Sequence, residues 1–179
     1  LDVTRTVMHR LNHSIHDQGP QASASVVAVL PAGGRPAHYE FARAFAEELG
    51  TQRVEVVTAA TVRRDLGTDA TVAGTAQYLH RVEDRNDYVI LVGEADNTEW
   101  TEMCHRQSDV SLLVGYADAM TEYGEYEDDT DTSDSQLVLV HDTERPDGTA
   151  DVLAERPCVR YHHIRHGSRD DIARVAASF

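Results

Sequence analysis

Lysine is absent: all 16 basic residues of this 179-residue chain are arginine. A phosphate-gripping loop of the Walker type ends in Gly-Lys-Ser/Thr, so its cation has no source here. Two cysteines, Cys104 and Cys158, are too few for a disulfide framework. Apolar runs reach only five or six residues, too short to span a bilayer. The start lacks the charged-then-apolar pattern of a secretion signal. Basic charge is scarce as well: 16 arginines face 31 acids, for a formal charge of −15 and a pI near 4.9. That balance argues against nucleic-acid partners, which need a basic face, and disfavours anionic lipid surfaces. Gly-x-Ser-x-Gly is missing, and the only Gly-Ser pair, Gly167-Ser168, reads as the start of a helix.

What is present is a strong strand signal. Residues 26–30, 88–92, 110–114 and 137–140 are nearly continuous apolar runs, with weaker ones at 54–57 and 158–164. Continuous runs mark strands covered on both faces, as in parallel sheets. Helical patterns lie between them. Pro36 suits a first helical turn, Phe41, Phe45 and Leu49 form one apolar stripe, and Gly50 supplies a stop. Asp96 with Glu99, and Ser168 with Asp171, read as caps of further helices. The expected class is α/β: a Rossmann-like, mostly parallel sheet with helices on both faces and right-handed crossovers. It is expected to fill residues 23–179. Residues 1–22 read as a lead-in helix, with Val3, Val7, Leu11 and Ile15 at four-residue spacing, followed by a linker. Residues 117–135 hold eight acids and no base, which predicts a mobile acidic surface loop. Asp128-Asp129-Thr130-Asp131 lacks the glycine and terminal glutamate of a calcium loop.

Candidate chemistry concentrates in Gly33-Gly34-Arg35, between the first strand and the first helix. That is where α/β proteins bind phosphate through backbone N–H groups and a helix dipole. The Lys and Ser/Thr positions of a Walker loop hold Ala37 and His38, and the three-glycine dinucleotide fingerprint is not met. Asp96, after the strand at 88–92, sits where nucleotide hydrolases place a metal-holding acid, a part it could play only with nucleotide bound; the favoured reading is a helix cap, which needs no ligand. Gly33, Gly34, Arg35 and Asp96 therefore make a weak candidate anion turn. Cys158, His162, His163 and His166 have a superficial metal look, but strand alternation sends His162 and His163 to opposite faces. His141-Asp142 lacks an accompanying serine, and Cys104-His105 diverge on a helix. No catalytic residue, metal site or cofactor is assigned from the residues alone.

Several segments resemble one family. They are Val26-Val27-Ala28-Val29-Leu30-Pro31, the pattern Trp100-x3-Cys104-x-Arg106-Gln107-x-Asp109, Leu112-Leu113-Val114-Gly115, and Tyr161-His162-His163-Ile164-Arg165. Together they are similar to the neuropathy target esterase group of patatin-like phospholipases, in the region between the cyclic-nucleotide-binding domain and the patatin catalytic domain. The likeness covers about residues 24–179, with 1–18 resembling the helix that leaves the preceding domain. The region also looks like a degenerate P-loop module, related to the deviant Walker ATPases that position partition machinery. The resemblance implies a parent protein that hydrolyses (lyso)phospholipid esters. The family's nucleophilic serine, aspartate partner and oxyanion loop have no matching positions here, so no catalytic residue is carried over. The resemblance thus implies a non-catalytic regulatory or scaffolding module without cofactor. Its partners would be the flanking cyclic-nucleotide-binding and patatin domains of the same polypeptide, with no nucleic acid and no membrane insertion; self-association is compatible with this. The expected location is cytoplasmic, with a parent associated with membranes. The alternative is a degenerate nucleotide-binding module.

Overall fold

The computed structural model describes residues 25–179 except 51–52, 69, 97, 122–132, 144–145, 147 and 157. The lead-in helix and the acidic calcium-like stretch at 128–131 lie outside the described residues. In chain order the elements are β1 (Ser25–Pro31), α1 (His38–Glu48), β2 (Val54–Thr58), α2 (Ala59–Leu66), α3 (Val72–Glu83), β3 (Tyr88–Val92), α4 (Thr98–Gln107), β4 (Val110–Tyr116), a 3-10 turn (Ala117–Ala119), β5 (Gln136–His141), α5 (Thr149–Glu155), β6 (Arg160–Arg165) and α6 (Arg169–Ala176). The six strands form one sheet in the order β2-β3-β1-β4-β5-β6, parallel throughout.

Alternation along β1 divides the core. Val26, Ala28 and Leu30 face α2, α3, α4 and α5 through Val62, Leu79, Trp100, Cys104 and Val152. Val27 and Val29 face α1 and α6 through Phe41, Phe45, Ile172 and Val175. Both faces of the central strands are therefore dry, which is why their sequences are continuously apolar. The two weak runs belong to the edge strands: β2 and β6 keep several partly exposed positions, so fewer apolar residues are required of them. Three helices, α2, α3 and α5, are additional to those singled out from local sequence signals. Thr58 starts α2 through a reciprocal capping box with Thr61, and Thr71 caps α3 by accepting from the Gly74 amide.

Some local expectations are corrected. Pro36 does not open α1. It sits two residues upstream, in an isolated antiparallel bridge to Gly115, and α1 begins at His38. The cap expected at Asp96 depends on Asn97, which is outside the described residues. At the described ends of the acidic segment, Asp118, Thr121, Ser133 and Asp134 are exposed while Ala117, Met120 and Ser135 are buried. The apolar and small residues at those ends are claimed by the core, whereas the acids dominated the composition of the whole stretch. Among the described residues no helix is long and apolar enough to cross a membrane.

The cap expected at Ser168 is present and larger than the sequence suggested. Ser168 Oγ accepts from the Asp171 amide at 3.4 Å. The buried Asp171 carboxylate accepts in turn from the Arg165 amide at 2.9 Å, Arg165 Nε at 3.1 Å and Arg174 Nη1 at 2.6 Å. Burial alone would raise this carboxyl, but those bonds outweigh it and hold it well below the usual aspartate range. A carboxyl depressed in the folded state adds stability above its unfolded pKa of about 3.9 and loses it as pH falls further. Asp171→Asn is expected to cost about 2 kcal/mol at pH 7, after allowance for the exposed arginine ends. Urea unfolding should show that deficit constant above pH 5 and shrinking below pH 4.

Candidate functional site

At the carboxyl ends of the neighbouring strands β1 and β3, the two connections leave for opposite faces of the sheet, α1 to one and α4 to the other. Such a divergence opens the crevice in which α/β sheets bind ligands. Here the crevice is occupied by the chain itself. The turn after β1 folds back along the end of β4: Ala32 N donates to Val114 O at 3.2 Å, Ala37 N to the same oxygen at 3.4 Å, and Gly34 N to Ala119 O at 3.0 Å. Tyr116 N donates to Arg35 O at 3.0 Å. Backbone lies directly on backbone. Gly33 has φ +68, and a Cβ there would collide with Ala119 O; a Cβ on Gly115 would collide with Ala32 O. The N–H groups of Ala32, Gly34 and Ala37 are thus directed at carbonyl oxygens of the chain.

The Arg35 side chain is equally engaged. Its guanidinium lies 3.5 Å from the Tyr116 ring centroid, with Nη1 3.0 Å from Asp142 Oδ2 and 3.7 Å from Asp118. Tyr116 Oη is 2.6 Å from His166 Nδ1. On the β3 side, the fully buried Thr101 hydroxyl donates to Glu94 O at 2.7 Å and accepts from Glu94 N at 2.9 Å. Trp100 Nε1 donates to Val92 O at 2.8 Å. The post-strand segment is thereby tied to its own helix. Asp96 is exposed, with no hydrogen bond to the glycine turn among the described residues.

His38, at the position of a Walker Ser/Thr, closes the crevice. It is 3% exposed, and its Nε2 lies 3.1 Å from Gly93 O. Only the Nε2–H tautomer donates there, which leaves Nδ1 buried with no hydrogen-bond partner among the described residues. Burial drives its pKa down to about 4, only partly offset by the bond to Gly93. The ring is neutral at pH 7 and works as a wedge between the two loops.

The remaining candidates are separated. His162 Nε2 lies 2.9 Å from Gln136 Oε1, whereas His163 Nδ1 lies 2.7 Å from His141 Nε2, so the neighbouring histidines do diverge. His141 is paired with His163 and Asp142 with Arg35, so His141-Asp142 is no base and orienter. Cys104 is buried with its thiol pushed well up by desolvation, and His105 Nδ1 turns to Ser111 Oγ at 2.8 Å. Among the described residues no three His, Cys, Asp or Glu side chains gather as a metal site. Sequence reasoning missed the polar set at the carboxyl ends of β5 and β6, namely His141, His163, Arg165, Asp171 and Arg174. Its traces, the His141-Asp142 pair, the His-His-x-Arg segment and the Ser168–Asp171 cap, were read one by one and not as a set.

Comparison with known proteins agrees with the α/β fold. The family model described as "Neuropathy Target Esterase family P-loop like domain" matches residues 23–178. The chain is 30% identical over 118 residues to "Neuropathy target esterase sws" of Drosophila melanogaster, covering 60% of this chain and 8% of that protein. It is 36% identical over 103 residues to "Lysophospholipase nte1" of Aspergillus terreus, covering 52% of this chain and 7% of that protein. The chain thus spans less than a tenth of the curated relatives it matches. No solved structure matches it.

The closed crevice has two measurable outcomes. Gly115→Ala should cost about 3 kcal/mol or more in urea unfolding, because the colliding atom is backbone and cannot swing away. Gly50→Ala, at φ +69 with open space around it, should cost only about 1 kcal/mol. A histidine with a depressed folded pKa loses stability as pH falls from about 6.5 toward that pKa. His38→Gln keeps a donor for Gly93 O and cannot titrate. The wild type should therefore lose about 3 kcal/mol relative to this variant between pH 7 and pH 4.

Proposed function

The chain belongs to the Neuropathy Target Esterase family of P-loop-like domains, and on that premise we propose that it is a non-catalytic regulatory and scaffolding module of a patatin-like (lyso)phospholipase. The ester-hydrolase domain then lies outside this chain. The observation that carries the reading is the filled crevice. The amides of Ala32, Gly34 and Ala37 meet Val114 O and Ala119 O, and the Gly33 and Gly115 backbones occupy the room a phosphate would need. A chain without lysine also lacks the cation that a Walker loop supplies to the β- and γ-phosphates. Charge-assisted bonds of this kind contribute about 1.5–3 kcal/mol each, so their loss removes tight nucleotide binding.

A module of this sort acts by rigidity. A six-stranded sheet whose central strands are dry on both faces resists deformation, so a displacement imposed at one end is passed on as a rigid-body shift. Its partners in this reading are the cyclic-nucleotide-binding and patatin domains of the same polypeptide. It works in the cytoplasm, within a parent held at a membrane by other segments. The rival is a module that has kept nucleotide binding in the Gly33 turn.

Calorimetry separates the two. Titration of the 179-residue chain with ATP, ADP, GTP and cyclic nucleotides in the presence of magnesium should give no saturable heat at millimolar ligand. Micromolar binding to any of them would overturn the scaffold reading. The isolated chain should also leave lysophosphatidylcholine and short-chain esters uncleaved, and turnover of either would contradict it.

A further inference from the structure

The sheet has a second place where neighbouring connections diverge. After β5 the chain crosses to the face of α5, and after β6 to the face of α6. The same topological rule that predicts a crevice between β1 and β3 predicts one here. The first is plugged by the glycine turn and His38. The second holds a cavity of about 480 Å³ at the carboxyl ends of the two strands.

Its lining is unusual for this chain. Among the described residues, His141, His163, Arg165 and Arg174 line it together with one acid, Asp171, in a molecule whose formal charge is −15. That acid is spent internally: its carboxylate binds the Arg165 amide and one nitrogen of each arginine. Asp171 thus acts as an orienting group that fixes two guanidinium planes, while both arginine side chains stay more than half exposed. His141 Nε2 and His163 Nδ1 spend one nitrogen each on their 2.7 Å contact. That contact stiffens the wall across β5 and β6.

We propose that the crevice between the ends of β5 and β6 is a binding site for a phosphate-type oxyanion, gripped by Arg165 and Arg174 and walled by the His141–His163 pair. Planar guanidinium groups held in place by a buried carboxylate match the geometry of phosphate oxygens. The site is separate from the Gly33 turn and independent of the scaffold reading, since it uses neither the turn amides nor the helix after them. The same chemistry fits a soluble phosphate ester or the exposed phosphomonoester of a lipid headgroup.

The test uses the full 179-residue chain. Inorganic phosphate is titrated by calorimetry at low salt, with chloride as control. In parallel, the protein is sedimented with phosphatidylcholine vesicles with and without phosphatidic acid. Saturable millimolar or tighter phosphate binding is expected. Arg174→Met and His163→Gln should each weaken it about tenfold or more, while Arg106→Met, on the opposite face, should leave it unchanged. Cosedimentation that depends on phosphatidic acid and is competed by phosphate would identify a headgroup. Phosphate binding without cosedimentation would identify a soluble ester. Thermal melts confirm folding, and if Arg174→Met fails to fold, His163→Gln carries the comparison. Absence of saturable phosphate heat, or wild-type affinity in both site variants, would overturn the proposal. Because nucleotides are titrated separately, its failure is distinguishable from failure of the scaffold reading.

Discussion

Direct contact of backbone with backbone, between the turn after β1 and the end of β4, is the constraint on which this structure depends. Only glycine lets the two segments approach so closely, and the chain provides it on both sides of the seam, at Gly33 and Gly115. A phosphate-cradling loop keeps its N–H groups convergent on an empty volume that an anion fills. Here a 3-10 turn fills that volume, and the carbonyls of Val114 and Ala119 take the place of phosphate oxygens. The same seam lays Arg35 over Tyr116, bridges Pro36 to Gly115 and drives His38 beneath Gly93.

A consequence is that the architecture of a ligand-binding sheet is retained while its usual ligand position has become part of the core. The crevice at β1 is stabilised by the protein's own peptide groups, which require no ligand to satisfy them. The crevice at β5 and β6 is built differently. Its two arginines are anchored by one buried carboxylate, and their side chains stay more than half exposed beside the His141–His163 pair. An anion can enter the second without unfolding anything, whereas entry into the first requires the seam to part. Membership of the Neuropathy Target Esterase P-loop-like family accounts for the shared frame. The local chemistry decides which part of it stays available.

Much of the fold was legible because burial on two faces imposes continuous apolar runs. β1, β3, β4 and β5 could be read directly, and even the weakness of β2 and β6 was informative, since edge strands need fewer buried positions. Ser168 and Asp171 were legible as a cap because capping is local chemistry. The misses share one cause: they depend on contacts distant in sequence. Pro36 has the local signature of a helix start, yet a bridge to Gly115, far along the chain, holds it outside α1. Ala117, Met120 and Ser135 were hidden in an acidic stretch whose composition speaks for solvent. The glycine turn was correctly located, but whether its amides face a ligand or a carbonyl is decided by β4, about eighty residues later. The pairing of His141 with His163 and the grip of Asp171 on two arginines emerge only when β5, β6 and α6 meet.

Amide hydrogen exchange, read residue by residue by NMR, tests the central claim most directly. If the seam is closed, the Ala32, Gly34 and Ala37 amides exchange as slowly as those in the middle of β4, and their shifts and rates are unaffected by magnesium nucleotide. Fast exchange at these three amides in the free protein, then protection when nucleotide is added, would show an open turn awaiting a phosphate and would contradict the account.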